Sequence, residues 1–224
     1  MRFLPLALLL ASAPALHGQA AEGANQGYQT EADRARVARS LGDPEREARD
    51  KPRELLDRIG IQPGTVVADI GTGVGFMLPY FIEKIGPSGK IYAEDIQQDF
   101  LDQVEEKKKQ AGWDNIETVL GDERDPKLPA GVIELAFILD AYHHFNYPAE
   151  SLAAIRKSLT PDGRLVVVDF YRSRPHPRFT PERLQNHIRK DRDGFAAEIE
   201  EAGFTLERTF DQLPHQYVLI FKQK

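Results

Sequence analysis

The chain has 224 residues, of which 41% are hydrophobic and 29% are charged, a composition that suits one globular domain with a full hydrophobic core. Its formal net charge of -6, without a long basic run, gives a nucleic-acid substrate little electrostatic support. The sequence contains no cysteine, which excludes disulfide bonds and lipid attachment at cysteine. We therefore expect a single domain that is held together by packing alone and does not bind nucleic acid.

Residues 1–20 have the three parts of a secretory signal peptide. Arg2 is followed by an apolar stretch over residues 3–16, and residues 18–20 offer a small-x-small cleavage site before Ala21. The apolar stretch is too short to span a bilayer comfortably, so no stable membrane span is expected after its removal. The sequence thus predicts an exported protein, periplasmic or secreted. The alternative is a cytoplasmic protein that retains this N-terminus.

Between this segment and the first strand, the sequence indicates a polar lead-in and a short helical region. Residues 21–44 are polar and rich in alanine without clear periodicity, and we expect them to form a flexible N-terminal lead-in. A helix then begins near Pro44, restarts near Pro52 and ends at Gly60. Residues 45–224 are expected to form the single folded domain.

The chain is organised around an apolar strand that runs into a glycine-rich turn. Val66–Ile70 is typical of one buried strand, and glycines follow at positions 71, 73 and 75 before a new helical pattern begins. Glycine allows positive φ values and a close approach of the backbone to a ligand, so this turn is a candidate ligand cradle. The dinucleotide fingerprint requires a small residue where this chain has Phe76, which argues against NAD or FAD.

Further strands alternate with helices along the chain. A turn is expected at residues 160–163, and one amphipathic helix is expected between Pro181 and Ala202. The strands expected after the first are Lys90–Asp95, Ile116–Leu120, Ile133–Leu139, residues 164–171, residues 205–211 and residues 216–222. This alternation predicts an α/β fold, a doubly wound sheet with helices on both faces, that closes with an antiparallel hairpin.

Acidic side chains stand at the carboxyl ends of several strands, where ligands of doubly wound sheets bind. Asp95 ends the second strand, and its carboxylate can accept hydrogen bonds from two hydroxyls of one ribose. Glu94 precedes it, and strand alternation predicts that the two side chains point in opposite directions. Asp122 follows the third strand and Asp140 the fourth, beside the expected change in strand order.

The string Asp69-Ile70-Gly71-Thr72-Gly73-Val74-Gly75 resembles the first motif of the class I S-adenosylmethionine (SAM) methyltransferases. The resemblance covers roughly residues 45–224 and implies a Rossmann-like, seven-stranded sheet with SAM as cofactor. It implies that the glycine turn accommodates the amino-acid end of SAM, while Asp95 binds the ribose, Ile96 lies against the adenine and Asp122 accepts a hydrogen bond from the adenine amino group. The full set of expected cofactor-binding residues is Asp69, Gly71, Thr72, Gly73, Gly75, Asp95, Ile96, Asp122, Glu123 and Asp140.

In this family the helix before the first strand often closes over the cofactor. The resemblance therefore offers Arg49 and Lys51 as partners of the SAM carboxylate, with surface charges on an amphipathic helix as the alternative. The segment Asp140-Ala141-Tyr142-His143-His144-Phe145 resembles the segment after the fourth strand in a group of small bacterial methyltransferases of mostly unassigned substrate. This segment is expected to border the methyl group.

His143 and His144 are the candidate catalytic bases, because histidine titrates near neutral pH. A structural, hydrogen-bonded histidine at a strand end is the alternative for each. No metal site is expected, since adjacent histidines should diverge on regular backbone. The remaining histidines, His176, His187 and His215, are scattered without a metal-binding spacing.

Together these features predict a methyltransferase that moves a methyl group from SAM to an oxygen or nitrogen atom of a small molecule or an exposed protein side chain. One alternative is a non-catalytic SAM-binding module of the same fold, for interaction or sensing. Another is an NAD-dependent oxidoreductase, which Phe76 and the closing hairpin disfavour. Aromatic and imidazole rings near the site, with the acidic net charge, favour a small acceptor over a long polyanion.

Overall fold

In the computed structural model, which describes residues 20–224, seven strands form one mixed sheet. They are β1 Val66–Ile70, β2 Lys90–Asp95, β3 Ile116–Leu120, β4 Ile133–Leu139, β5 Leu159–Phe170, β6 Phe204–Leu213 and β7 Gln216–Gln223. The order across the sheet is β3-β2-β1-β4-β5-β7-β6, and the neighbours from β3 to β5 are parallel. The predicted signal peptide, residues 1–20, lies outside the described residues apart from Ala20 and stays a prediction.

Helices cover both faces of this sheet. In chain order they are α1 Glu22–Asn25, α2 Glu31–Leu41, α3 Arg46–Asp50, α4 Pro52–Ile59, α5 Leu78–Ile85, α6 Gln98–Ala111, α7 Pro148–Ser158, α8 Pro181–His187 and α9 Arg192–Glu201, with 3₁₀ helices at Gln26–Tyr28 and Tyr142–His144. The apolar sides of α4, α5 and α6 pack on one face of the sheet, and those of α7, α8 and α9 pack on the other. Across the part of the chain that the structure describes, no helix is long and apolar enough to cross a membrane.

The last strand, β7, is inserted between β5 and β6 and runs antiparallel to both. Leu219 at its centre pairs with Val167 of β5 and Thr209 of β6. Because β7 has a neighbour on each side, its residues from Gln216 to Phe221 are all buried. The predicted Rossmann-like sheet with a closing antiparallel hairpin is confirmed, and it differs from the parallel completion of dinucleotide-binding folds.

Strand β5 begins earlier than the sequence predicts. The expected turn at residues 160–163 is instead part of the strand. Its pairing with β4 shifts between Ile133 and Leu135, whose partners are Leu159 and Arg164, so the extra residues form an irregularity in the ladder. The prediction of a turn was wrong because the residues on either side of this segment, Leu159 and Arg164, both pair with β4.

The single helix expected between Pro181 and Ala202 is divided into α8 and α9. Asp191 starts α9, because its side chain accepts a hydrogen bond from the N–H of Arg192. The break leaves His187 at the end of α8, where its Nε2 lies 3.2 Å from Nε2 of His143. The interruption therefore changes which residues reach the carboxyl ends of the strands.

Residues 21–44, which the sequence predicts to be a flexible or loosely docked lead-in, are largely helical and pack against the domain; we call them the N-terminal cover. Ala38 of α2 is buried against Val74 and Phe100. Arg34, also in α2, donates from Nε to Oδ2 of Asp99 in α6 at 2.8 Å. Alanines let α2 approach the domain closely, but they produce no strong apolar periodicity, which is why the sequence pattern missed the packing.

Candidate functional site

A cavity of about 1070 Å³ opens at the carboxyl ends of β1 and β4, where the strand order changes direction. Its wall combines the glycine turn, the end of β2, the segment after β4, the N-terminal cover and the loop that leads into α8. The volume is at the top of the range of about 300–1,000 Å³ that is usual for small-molecule sites. The cavity therefore has room for more than one small ligand.

The glycine turn after β1 lines the cavity and also packs tightly against the segment after β4. Gly71 has φ of 69°, and a Cβ built on it would lie 2.7 Å from Cβ of Ala141. Any larger residue at position 71 would thus be strained and would collide with the segment after β4. The N–H of Thr72 donates to the carbonyl oxygen of Glu94 at 2.8 Å, which holds the turn against β2.

Asp95 lies at the end of β2 beneath this turn. Its Oδ2 accepts a hydrogen bond from the N–H of Gly73 and its Oδ1 accepts one from the N–H of Gln97, both at 2.9 Å. Burial raises the pKa of Asp95 to about 6, against the opposing effect of these backbone hydrogen bonds. Each oxygen keeps one lone pair, so the carboxylate can still accept two hydrogen bonds from a ligand.

Glu94 also borders the cavity, although strand alternation predicts that it points away from Asp95. Its Oε2 accepts a hydrogen bond from the N–H of Gly71 at 3.3 Å. Burial and the nearby Asp95 carboxylate raise the pKa of Glu94 well above its usual range. Because the cavity lies over the very end of β2, side chains from both faces of the strand reach it.

Asp69, which is buried, and Asp140, which is partly buried, are two further acids of the cavity wall. Oδ2 of Asp69 accepts a hydrogen bond from the Thr72 hydroxyl at 2.7 Å, and Oδ1 of Asp140 accepts one from Nε2 of Gln216 in β7 at 2.7 Å. Burial raises the pKa of each carboxyl to about 7, while the Arg46 guanidinium acts in the opposite direction. Asp140 also has a positive φ of 52°, at the point where the chain leaves β4.

Arg46 is a cation of the cavity wall that the sequence reading did not select. Its guanidinium is buried over the Phe76 ring at 4.0 Å from the ring centroid, donates from Nε to Asp50, and lies 3.6 Å from Oδ2 of Asp140. The sequence could have indicated this ion pair, because Arg46 and Asp50 are four residues apart on one helix.

The two basic residues that the resemblance offered for the SAM carboxylate lie elsewhere. Arg49 forms ion pairs with Asp43 and Asp50, and it does not line the cavity. Lys51 is exposed, with φ of 48°, at the junction of α3 and α4. Lys51 is thus a surface charge, which was the alternative, whereas Arg49 is partly buried in its ion pairs. Among the basic residues between positions 45 and 59, Arg46 lines the cavity.

The residues expected to contact adenine lie at the far side of the cavity. Ile96 is 44% exposed and lines it, as an apolar side chain facing a ligand would. Asp122 lines it too, but its Oδ1 accepts hydrogen bonds from the N–H groups of Arg124 and Asp125 within its own turn. Glu123 accepts a hydrogen bond from Nδ2 of Asn146 at 2.9 Å. The adenine contact of Asp122 stays a prediction.

His143 is 1% exposed and is held by Asp169 of β5, which is itself fully buried. The backbone N–H of His143 donates to Oδ2 of Asp169 at 3.1 Å, and its ring Nδ1 donates to Oδ1 at 2.7 Å. A carboxylate only accepts, so Nδ1 carries the ring proton and the lone pair is on Nε2, 3.2 Å from Nε2 of His187. The sequence signal for Asp169 was a lone acid at the end of the apolar run Val166-Val167-Val168.

His144 lies beside His143, and the two rings do not diverge. Their centroids are 4.2 Å apart, because both residues belong to the 3₁₀ helix at Tyr142–His144. Nδ1 of His144 lies 2.9 Å from Oδ1 of Asn25, and burial lowers the pKa of His144 well below its usual range. His187 completes a group of three rings, so the expectation of scattered histidines was wrong for His187.

Residues 68–167 match a family model for a methyltransferase domain. Over 114 residues the chain is 31% identical to the nocamycin O-methyltransferase of Saccharothrix syringae, a match that covers 50% of this chain and 40% of that protein. Over 119 residues it is 29% identical to the ubiquinone/menaquinone biosynthesis C-methyltransferase UbiE of Hahella chejuensis, a match that covers 53% of this chain and 48% of that protein. The match thus spans less than half the length of these curated relatives.

A solved structure of a SAM-dependent methyltransferase from Aquifex aeolicus has the same fold. The similarity extends over 83% of this chain and 96% of that chain, with a TM-score of 0.76 and 25% sequence identity. It therefore extends well beyond the 100 residues that the family model matches. Residues 68–167 thus match a methyltransferase domain, and the sheet order, the glycine turn and the Aquifex aeolicus structure support a class I SAM-dependent methyltransferase with SAM as cofactor.

Proposed function

We propose that the protein transfers a methyl group from SAM to an oxygen or nitrogen atom of a small molecule. The observation that carries this proposal is that one cavity is bordered by two sets of residues. The glycine turn and Asp95 form one set, and the buried His143–Asp169 pair forms the other. Ala141 joins them, since it packs on Gly71 and stands two positions before His143. A donor and an acceptor could thus meet within the same space.

The residues of the cavity fit SAM chemically. Asp95 keeps one lone pair on each carboxylate oxygen for the two ribose hydroxyls. We assign the adenine face to Ile96, and the carboxylate of the cofactor to Arg46, which is already buried in the cavity wall. Four acids of the cavity wall, the buried Asp69, Glu94 and Asp95 and the partly buried Asp140, provide an acidic surrounding for a ligand with positive charge.

SAM supplies an electrophilic methyl carbon, so the protein has mainly to align the acceptor and to take up its proton. Nε2 of His143 is the proposed proton acceptor, because Asp169 holds the ring proton on Nδ1. The Asp169 carboxylate would also stabilise the imidazolium that forms when Nε2 takes the proton. His144 is the second candidate, with its Nδ1 directed to Asn25.

A small acceptor suits this cavity better than an exposed protein side chain or a nucleic acid. Aromatic rings of Tyr28, Phe145, Phe170 and Phe179 contribute to its wall, and the N-terminal cover encloses it on one side. The buried acids would repel a polyanion. The nocamycin relative is named as an O-methyltransferase, in keeping with an oxygen acceptor.

The cofactor assignment is tested by calorimetric titration of the purified protein with SAM, its demethylated product and NAD. Asp95→Ala should weaken SAM binding about a hundredfold, because a charge-assisted bidentate contact is worth roughly 2–3 kcal/mol. Asp102→Ala is the matched control, since Asp102 is exposed on α6. Unchanged SAM affinity in Asp95→Ala would contradict the site, and preference for NAD would contradict the cofactor.

The acceptor side is tested by turnover once a screen of host extracts with methyl-labelled SAM has identified a product. His143→Ala should lower turnover by about 10²–10⁴ and leave SAM affinity nearly unchanged, because the ring acts on the acceptor. Equal turnover in the parent and the variant would place the base elsewhere. Tight SAM binding without transfer to any acceptor would favour the non-catalytic module.

We further propose that the chain is exported and that the mature protein begins near Ala21. The support is the signal-peptide pattern of residues 1–20. Ala21 is also 3% exposed, and its N–H donates to Oδ1 of Asn146 at 3.2 Å. Since SAM is made in the cytosol, an exported enzyme requires a supply of it outside. Retention of the N-terminus would make the protein cytoplasmic.

A further inference from the structure

Three imidazole rings converge on one point of the cavity wall. His143 and His144 come from the 3₁₀ helix after β4, and His187 comes from the end of α8. One ligand nitrogen from each ring lies within 4.8 Å of the other two. Nε2 of His143 and Nε2 of His187 are 3.2 Å apart. All three residues line the cavity that we assign to SAM and its acceptor.

Hydrogen bonds at the back of two rings direct their lone pairs into this cluster. Asp169 accepts from Nδ1 of His143, so Nε2 of His143 is unprotonated. Nδ2 of Asn25 donates to the His144 carbonyl, so Oδ1 of Asn25 is free to accept from Nδ1 of His144. Nε2 of His144 is then unprotonated as well. A histidine that donates from one nitrogen to a carboxylate or amide and offers the other nitrogen is the usual arrangement of a metal ligand.

The spacing also fits a metal ion. Two imidazole nitrogens at about 2.0–2.1 Å from a tetrahedral ion stand roughly 3.3 Å apart. The observed distance between Nε2 of His143 and Nε2 of His187 is 3.2 Å. Without a metal, this distance is a hydrogen bond that the His187 N–H donates to His143. Metal binding would require that the ring proton of His187 move to its Nδ1 and that the three rings draw closer than the present limit of 4.8 Å between their ligand nitrogens.

We propose that His143, His144 and His187 together bind one divalent transition-metal ion of the zinc class. Three neutral imidazoles, without a carboxylate or thiolate among them, favour zinc, cobalt, nickel or copper over magnesium and calcium. Three protein ligands leave one coordination position open, as in catalytic rather than structural zinc sites. Because the three histidines line the cavity, a fourth ligand would come from the cavity.

The role of the site rests on the proposed function, whereas metal binding itself does not. The open position would take the oxygen or nitrogen of the methyl acceptor and lower its pKa. With metal bound, Nε2 of His143 would be a ligand and not the base proposed above for the metal-free protein, and the acceptor proton would leave to water. The acceptor lone pair then forms the bond to the methyl carbon, while the carbon–sulfur bond breaks and its electron pair stays on sulfur.

His176 provides a matched control, because its ring packs against Phe170 and Phe179 of the same cavity wall. Nδ1 of His176 accepts a hydrogen bond from the N–H of Arg178 at 3.0 Å. Its ring proton is therefore on Nε2, which has no lone pair to offer. Substitution of His176 removes a neighbouring imidazole and should leave a metal bound to the other three.

The test uses the full chain, treated with EDTA and desalted, in titrations with Zn²⁺ by calorimetry and with Co²⁺ by visible absorption. The parent protein should bind one ion per chain, and Co²⁺ should give the d–d bands of a four- or five-coordinate site. His187→Ala should weaken Zn²⁺ binding by about a hundredfold or more, while His176→Ala changes it less than about threefold. Should His187→Ala fold poorly by circular dichroism, His187→Gln replaces it.

Asp169 is a positioning residue of this site, because it orients His143 without reaching the ion. Asp169→Asn should weaken Zn²⁺ binding about 10–100-fold and alter the Co²⁺ spectrum. The inference is overturned if the parent binds Zn²⁺ no better than a variant with all three histidines replaced by alanine, or if His176→Ala is as damaging as His187→Ala.

SAM titration of the metal-free protein separates this inference from the proposed function. SAM binding without specific Zn²⁺ binding would reject the metal site and leave the cofactor assignment intact. Specific Zn²⁺ binding without SAM binding would keep the metal site and reject the cofactor assignment.

Discussion

Asp69, Glu94, Asp95 and Asp140 place four carboxyl groups around the glycine turn, and burial raises the pKa of each. A carboxyl group that is costly to ionise in the folded state reduces stability at the pH where the unfolded chain is ionised. Arg46 offsets part of this cost, since it lowers the pKa of Asp69 and Asp140. The wall of the cavity is thus suited to ligand binding at the expense of stability.

We predict that Asp69→Asn stabilises the ligand-free protein at pH 8, by up to about 4 kcal/mol, and much less at pH 5. The folded pKa of Asp69 is about 7 against 3.8 in the unfolded chain, so the cost of the carboxyl is absent below pH 4, grows up to pH 7 and is constant above it. The asparagine oxygen can still accept from Thr72.

Urea unfolding at the two pH values measures this effect. Buried histidines change stability in the opposite direction over the same pH range; burial lowers the pKa of His187, for example, to about 4. The parent and the variant share these histidines, so the difference between the two proteins reports on Asp69. Asp102→Asn, on the exposed side of α6, should have no such dependence. Equal stabilisation at pH 5 and pH 8 would contradict the assignment of the raised pKa to Asp69.

At the scale of elements, the N-terminal cover forms part of the site. Tyr28 packs edge-on against His144, with ring centroids 5.0 Å apart, and Asn25 exchanges two hydrogen bonds with the same residue. Burial raises the pKa of Tyr28 to about 12, so its hydroxyl stays protonated. The cover is docked through α2, by way of Ala38 and the Arg34–Asp99 ion pair. Loss of this docking would therefore open the cavity.

We predict that Ala38→Asp releases the N-terminal cover and weakens SAM binding about tenfold or more. The buried methyl of Ala38 packs against Val74 and Phe100, and a charge placed there costs at least about 1–3 kcal/mol. Limited proteolysis should then cut within residues 21–44, and calorimetry should report the lower affinity. Arg39→Asp adds the same side chain at the exposed neighbouring position and serves as the control. If both variants bind SAM like the parent, the cover does not contribute to the cofactor site.

At the scale of the whole molecule, the first described residues and the closing strand both contact residues of the cavity wall. Gln216 of β7 donates to Asp140 at 2.7 Å, which ties the closing strand to the end of β4. At the other end, the N–H of Ala21 donates to Asn146 of the segment after β4. Maturation at Ala21 would therefore create a new amino terminus beside Asn146 of the cavity wall rather than on a loose tail.

We predict that N-terminal sequencing of the chain from its native host yields Ala21 as the first residue, in a fraction outside the cytosol. The physical basis is the small-x-small site at residues 18–20 and the apolar stretch before it. A substitution that removes the small residue at the cleavage site, Ala20→Arg, should leave the precursor uncleaved and serves as the control. Recovery of the intact chain from Met1 in the cytosolic fraction would reject export.

Local sequence patterns were sufficient for the framework of the protein. The bounds of β1, β2, β3 and β4 match the predicted strands, because each is a short apolar run bounded by turn residues. The glycine turn and Asp95 follow from the same runs, since the carboxyl end of a strand fixes where its next residues lie. The closing hairpin could be predicted because its two strands are separated by a short link.

Only the tertiary structure decided the acceptor side of the site. Asp169 and His187 are 26 and 44 positions from His143, and no local pattern relates them. They meet because β5 lies beside β4 and because the helix after β5 breaks before Asp191. Arg46 and the N-terminal cover were missed for the same reason, since their positions depend on packing between elements far apart in sequence. The sequence by itself determined the sheet and its glycine turn, whereas the histidine cluster exists only through contacts that folding creates.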